Sequence, residues 1–193
     1  MPSIITHSMV GLAGANAVNT GRTKFPKRFW FFSLLLPVLP DADTIAFFFG
    51  IPYGHFLGHR GFFHSLFFAL IPAILVVGFF FREKKPKERF LFLLYFFLIT
   101  ASHGLLDALT NGGLGIALLS PFETTRYFFP WRPIKVAPIG VMAFFSDWGL
   151  RVIINEILFI WLPSWLLVII MKMKLSSKSY DGSSGNRPHD LLK

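Results

Sequence analysis

Four histidines and three aspartates stand among the most apolar stretches of this chain: His7, Asp41, Asp43, His59, His64, His103 and Asp107. Ionisable groups at membrane depth are costly unless paired, solvated or bound to a metal. Any fold for this sequence therefore has to bring them to partners, and all seven are of metal-ligand type. Of 193 residues, 53% are hydrophobic, 25 are phenylalanine and only 15% are charged. Soluble domains carry about a quarter charged residues. With a mean hydropathy of +0.57, the composition predicts an all-α, polytopic membrane helix bundle.

The formal net charge of +9 lies in short hydrophilic joints and not along a folded basic stripe. That argues against a nucleic-acid partner and for membrane lipids. The absence of cysteine excludes disulfide and thiolate chemistry. The opening MPSIITHSMVGLAGANAVN has no basic leader region, so a cleaved signal peptide is not expected. Residues 172–193 are basic, then rich in serine and glycine. They are expected to form a disordered tail, with His189 irrelevant, behind a membrane domain over residues 1–171.

Four strong apolar runs follow one another. Phe29–Ile51 is broken by Pro37 and Pro40, as tolerated where a helix lines an enclosed cavity. Phe62–Phe81 contains Pro72. A third run begins at Arg89 or Phe90 and ends near Leu109, and the last covers Asn155–Met171 with a start as early as Phe144. Ile4–Val18 is less apolar and reads either as a fifth span or as an interfacial helix, which gives four to five spans. Arg22, Lys24, Lys27 and Arg28, then REKKPKER at 82–89, then Lys172, Lys174 and Lys178 separate these runs. All three basic regions can be cytoplasmic at once. The apolar, aromatic-rich 110–150 connection then faces outward, and six of the seven ligand-type residues fall at the outer level. His7 joins them if its helix spans.

The local patterns fit such a centre. In HGLLD, His103 and Asp107 are four residues apart and share a helical face. In PDAD, a proline precedes two aspartates that cannot share one face; Asp43 is expected to cap a helix resuming at Thr44 while Asp41 reaches inward. In GHRGFFHS, Gly61 permits a turn between His59 and His64. Arg60 suits either a bidentate phosphate contact or the headgroups. His55 is expected to face solvent or substrate. Glu123, Arg126 and Arg132 could line an entrance, and Asp147 suits a cap or a supporting role.

THS at 6–8, LPDAD at 39–43, GHRGFFHS at 58–65 and SHGLLD at 102–107 together resemble the membrane-bound metal-dependent hydrolase family of the YdjM type. The resemblance covers about residues 1–150. It implies a bacterial inner-membrane protein with a zinc-type centre, and one family member is under LexA-regulated SOS control. By that resemblance His7, Asp41, Asp43, His59, His64, His103 and Asp107 are the metal ligands.

Mixed imidazole and carboxylate ligands suit zinc, and also manganese or iron, as one ion or two. Asp43, Arg60 and His64 are the expected catalytic residues. The expected chemistry is metal-activated hydrolysis of a phosphoester or ester in a lipid or phosphorylated amphipathic substrate. Two other classes compete: transport of a metal ion or protons, and a scaffold holding a structural metal.

Overall fold

The computed structural model describes residues 1–19, 24–138 and 140–184 and contains no strand longer than an isolated bridge among them. Helix α1 (Ile4–Val18) packs on α2 (Lys27–Leu35), and α3 (Leu66–Phe80) packs on α4 (Pro86–Ala108). A short α5 (Val141–Phe144) precedes α6 (Asp147–Glu156). A π-helical turn, Ile157–Trp161, then joins α6 to α7 (Leu162–Ser184). Two 3-10 segments, Leu39–Phe49 and Phe62–His64, carry the proline and histidine motifs.

Helix α4 and the continuous stretch Asp147–Leu175 are long and apolar enough to cross a membrane. A third crossing exists if α2 and Leu39–Phe49, bent by 47° at their break, count as one. Helices α1 and α3, at 15 residues each, reach only about 22 Å, short of a hydrocarbon core of about 30 Å. The expected run Phe62–Phe81 is shortened because Ser65 caps α3, its side chain accepting from Phe68 N at 3.0 Å. Helix α7 runs to Ser184, past the boundary expected at residue 172, because lysines are good helix formers and extend the apolar helix. The rest of that tail, 185–193 with His189, and the basic residue Arg22 lie outside the described residues.

An aromatic core fills one half of the bundle. Phe29, Phe81 and Phe96 are fully buried, packed with Phe32, Leu36, Val76, Val77, Phe92 and Ile99. Rings of Phe29 and Phe96 lie 5.5 Å apart and those of Phe81 and Phe92 4.9 Å apart, within the range where aromatic pairs gain beyond area burial. The basic joints gather at this end: Arg28 pairs with Glu83, and its guanidinium lies 5.0 Å from the Phe81 ring centre.

On α4 the buried stripe Phe92, Phe96, Ile99, His103, Asp107 is one face at helical spacing. The same face that builds the core therefore turns polar over its last turn and a half. On α1 the matching stripe is His7, Gly11, Ala15. A Cβ at Gly11 would fall 1.9 Å from the Ser33 carbonyl oxygen, so glycine is what lets α1 lie against α2. A Cβ at Gly104 would come 2.5 Å from the His64 carbonyl oxygen. That glycine sets how closely the His64 segment approaches α4.

The 109–140 connection folds back over the polar end. It is pinned by Phe129 N to Ala108 O at 2.9 Å, Ala117 N to Arg60 O at 3.1 Å, Leu66 N to Leu118 O at 3.0 Å and Ala137 N to Met1 O at 2.9 Å. Its own Ile116, Ala117, Ile134 and Ala137 are buried.

Candidate metal centre

All seven ligand-type residues are brought together, and each is 5% exposed or less. His103 is fixed first. Its Nδ1 donates to the Pro37 carbonyl at 2.7 Å, which leaves Nε2 with its lone pair facing inward. That carbonyl is free because Pro40, three residues on in a 3-10 segment, has no N–H to offer it. The broken helix read from Pro37 and Pro40 thus has a specific use: it supplies the acceptor that orients a histidine on another helix.

His64 Nε2 lies 3.0 Å from His103 Nε2, 3.4 Å from Asp107 Oδ2 and 3.6 Å from Asp41 Oδ1. His103 Nε2 lies 3.3 Å from the same Asp41 oxygen. The edges of a tetrahedron of ligands about 2.1 Å from a cation measure about 3.4 Å. His7 stacks on His103 with ring centres 3.8 Å apart, and its Nε2 is 3.7 Å from Asp107 Oδ1. Two triads are thereby close enough to hold a metal ion each: His7, His103 and Asp107, and Asp41, His59 and His64.

The donor set fits a cation on a second, independent ground. Both nitrogens of His7, both carboxylate oxygens of Asp41 and Oδ1 of Asp107 are buried without a hydrogen-bond partner. Buried polar groups are nearly always satisfied. Within the cluster three carboxylates face one guanidinium, an excess of negative charge that a divalent cation balances.

Asp43 is placed differently from Asp41. Its Oδ1 is 2.7 Å from His59 Nδ1, while its Oδ2 accepts from Arg60 N at 3.1 Å and lies 3.1 Å from His64 Nδ1. It does not cap a helix resuming at Thr44, because the 3-10 segment runs unbroken from Leu39 to Phe49 and the carboxylate is drawn to the 59–64 loop. It buttresses both histidines of GHRGFFHS from behind.

Arg60 is fully buried and adopts the left-handed φ of 64°, a conformation a side-chain-bearing residue holds only under constraint. Its Nε pairs with Asp107 Oδ2 at 3.1 Å, Nη1 donates to Gly112 O at 2.8 Å, and Nη2 donates to Thr110 Oγ1 at 3.0 Å. Two of the guanidinium nitrogens are hydrogen-bonded and the third is ion-paired. Gly61 closes the expected turn, its N–H donating to Gly58 O at 2.9 Å; its φ is −84°, and glycine serves close approach there, since a Cβ would lie 2.2 Å from Phe56 O.

Arg126 donates to the carbonyls of His59, Tyr53 and His55 at 3.0, 3.1 and 3.2 Å, so it clamps the 53–60 loop to the connection. Arg132 sits 4.8 Å over the Phe128 ring. Glu123 accepts from the Tyr127 hydroxyl, which holds its carboxyl below the usual range. His55 is exposed and accepts from Leu57 N, and Asp147 is exposed at the start of α6.

Glu156 escaped the motif reading, although an acidic residue inside the last apolar run is itself a signal. It is fully buried and accepts from the backbone N–H and hydroxyl of Ser3 and from the Thr6 hydroxyl. The Thr6 oxygen also takes the Trp161 indole N–H at 2.7 Å. An anionic acceptor at the start of α1 takes the N–H of its N-cap Ser3 and complements its dipole, and α1 carries His7. Glu156→Ala is expected to cost about 3 kcal/mol, since several buried donors lose a charged acceptor at once. Thermal unfolding in detergent checks this; an unshifted midpoint would remove Glu156 from the account.

The chain matches the family described as YdjM inner membrane protein over residues 1–180. It is also similar to Inner membrane protein YbcI of Escherichia coli (strain K12), with 40% identity over 170 residues, covering 87% of this chain and 95% of that protein. No solved structure matches it. With the helices, the buried centre and these matches in hand, the chain belongs to the YdjM inner membrane protein family.

Proposed function

We propose that the protein is a membrane-bound metal-dependent hydrolase acting on a phosphoester or ester of a lipid or amphipathic substrate. One observation carries this: histidines and aspartates from four separate segments converge, buried, with their unpartnered atoms turned toward one another. Asp41, His64, His103 and Asp107 are the ligands if one ion binds; if two bind, His7 joins His103 and Asp107 at one position and His59 joins Asp41 and His64 at the other. Zinc suits this mixture of nitrogen and oxygen donors, with manganese or iron as the other candidates. A divalent cation held there would supply a water of lowered pKa and a Lewis acid for the ester oxygen.

The chain's own groups divide the remaining work. Asp43 accepts a hydrogen bond from His59 Nδ1–H at 2.7 Å, which leaves the lone pair on that ring's other nitrogen, to receive a proton when one ion binds or a cation when two do. Arg60 holds Asp107 in place and partly balances its charge, a positioning role in place of a phosphate contact. Leu36, Phe96 and Ile99 next to the centre belong to the buried apolar core on the side of the basic joints, which argues against conduction of ions or protons through the bundle. With the basic end in the cytoplasm, the centre faces outward, α1 and α3 complete four to five crossings around it, and the C-terminal tail is cytoplasmic.

The test is a screen of lipid phosphoesters and acyl esters with protein purified in nanodiscs. Turnover is expected with the zinc-loaded protein and is expected to vanish on chelation and in His64→Ala. Turnover that survives both treatments would reject the metal chemistry.

A further inference from the structure

A cavity of about 380 Å³ opens beside the centre, lined by Tyr53, His59, Gly113, Val136, Ala137 and Trp148 among others. Its volume lies within the range of small-molecule sites. Its walls are chiefly apolar, and two features tie it to the centre. His59 forms part of it while bound to Asp43 behind. Gly113 holds a φ of 89° on the same wall; a Cβ there would lie 2.6 Å from Arg60 Nη1 and 2.8 Å from the Tyr53 hydroxyl. A second cavity of about 350 Å³ adjoins it, sharing Met1, Ala137 and Pro138 and lined further by Ile4, Ile5 and Phe144.

The far rim is unusual for a water-facing pocket. Trp148 is 53% exposed, and next to it on α5 and the following turn Met142 and Phe145 are 87% and 82% exposed. In an integral membrane protein such side chains belong in the acyl region or at the interface. An apolar passage that starts among lipid-facing side chains and ends on a histidine suits a ligand with an alkyl chain and a reactive head.

We propose that this cavity seats the alkyl chain of the substrate, admitted sideways from the lipid phase past Trp148, with the head group delivered to His59 and the centre behind it. The proposal rests on the metal-hydrolase reading for the head group, while the tail site stands on the cavity alone.

The experiment uses the full chain in phosphatidylcholine nanodiscs, loaded with Co²⁺, whose visible spectrum reports head-group coordination. The probes are n-butyl- and n-octylphosphonate. The octyl compound is expected to bind about tenfold tighter or more, since each buried methylene adds to affinity. Ala143→Trp, at an exposed position on the cavity wall, is expected to remove that gain while leaving butylphosphonate binding unchanged. An equal gain in variant and native protein would show bilayer partitioning and overturn the proposal. An octylphosphonate with a terminal diazirine separates this from failure of the metal reading. Labelling of Val136–Pro138 and Trp148 that Ala143→Trp suppresses supports the tail site even if cobalt gives no signal. Labelling confined to the exposed Phe67, Leu70 and Ile74 of α3 overturns it.

Discussion

Replacing His64 with alanine is expected to weaken zinc binding further than any other single change in the centre. Its Nε2 is the hub from which His103, Asp107 and Asp41 lie 3.0, 3.4 and 3.6 Å away. Without it one triad loses its imidazole nearest the other. Asp43→Asn provides the comparison. Asp43 lies behind His64 and His59 and is expected to act through them, so its loss should cost about 10–100-fold in affinity, as for outer partners of metal ligands. His64→Ala should exceed that range. Competition against a chromogenic chelator measures both, and equal losses would mean that Asp43 is itself a ligand.

Arg60→Met is expected to destabilise the fold by about 3–5 kcal/mol in chelated protein, the usual cost of breaking a buried ion pair from one side. The guanidinium is fully buried, and its removal strands Asp107, the Gly112 carbonyl and the Thr110 hydroxyl together. Arg60→Lys should recover little, because an ammonium cannot meet three acceptors in a fixed plane. The double variant Arg60→Met with Asp107→Asn should recover part of the loss by removing the stranded charge. Chemical unfolding in detergent reads all three, and a native-like midpoint for Arg60→Met would contradict the geometry.

The helices that carry the centre were readable from periodicity. The run 89–109 became α4, and the four-residue spacing of His103 and Asp107 did put both on one buried face. Ile4–Val18 is a helix with the expected bounds, and at 15 residues it is too short to span unaided. The proline break was readable as a break, but not its purpose, because the histidine that uses the Pro37 carbonyl lies 66 residues away. Arg60 could not be assigned from its neighbours, since its acceptors come from the connection at 110–112. The distinction between Asp41 and Asp43 likewise rests on what the 59–64 loop does in three dimensions. Glu156 was visible as an acid in an apolar run; its partners at Ser3 and Thr6, some 150 residues earlier, were not.

The tie between Glu156 and the start of α1 orders the birth of the centre. Asp41, His59, His64, His103 and Asp107 have all been synthesised while the last helix is still in the ribosome. The helix that carries His7 is anchored by a residue of that last helix. Assembly of the complete set is therefore a late event, following insertion of the final span. A chain that fails to insert its C-terminal helix lacks the anchor that seats His7, which couples completion of the histidine–aspartate cluster to completed membrane assembly.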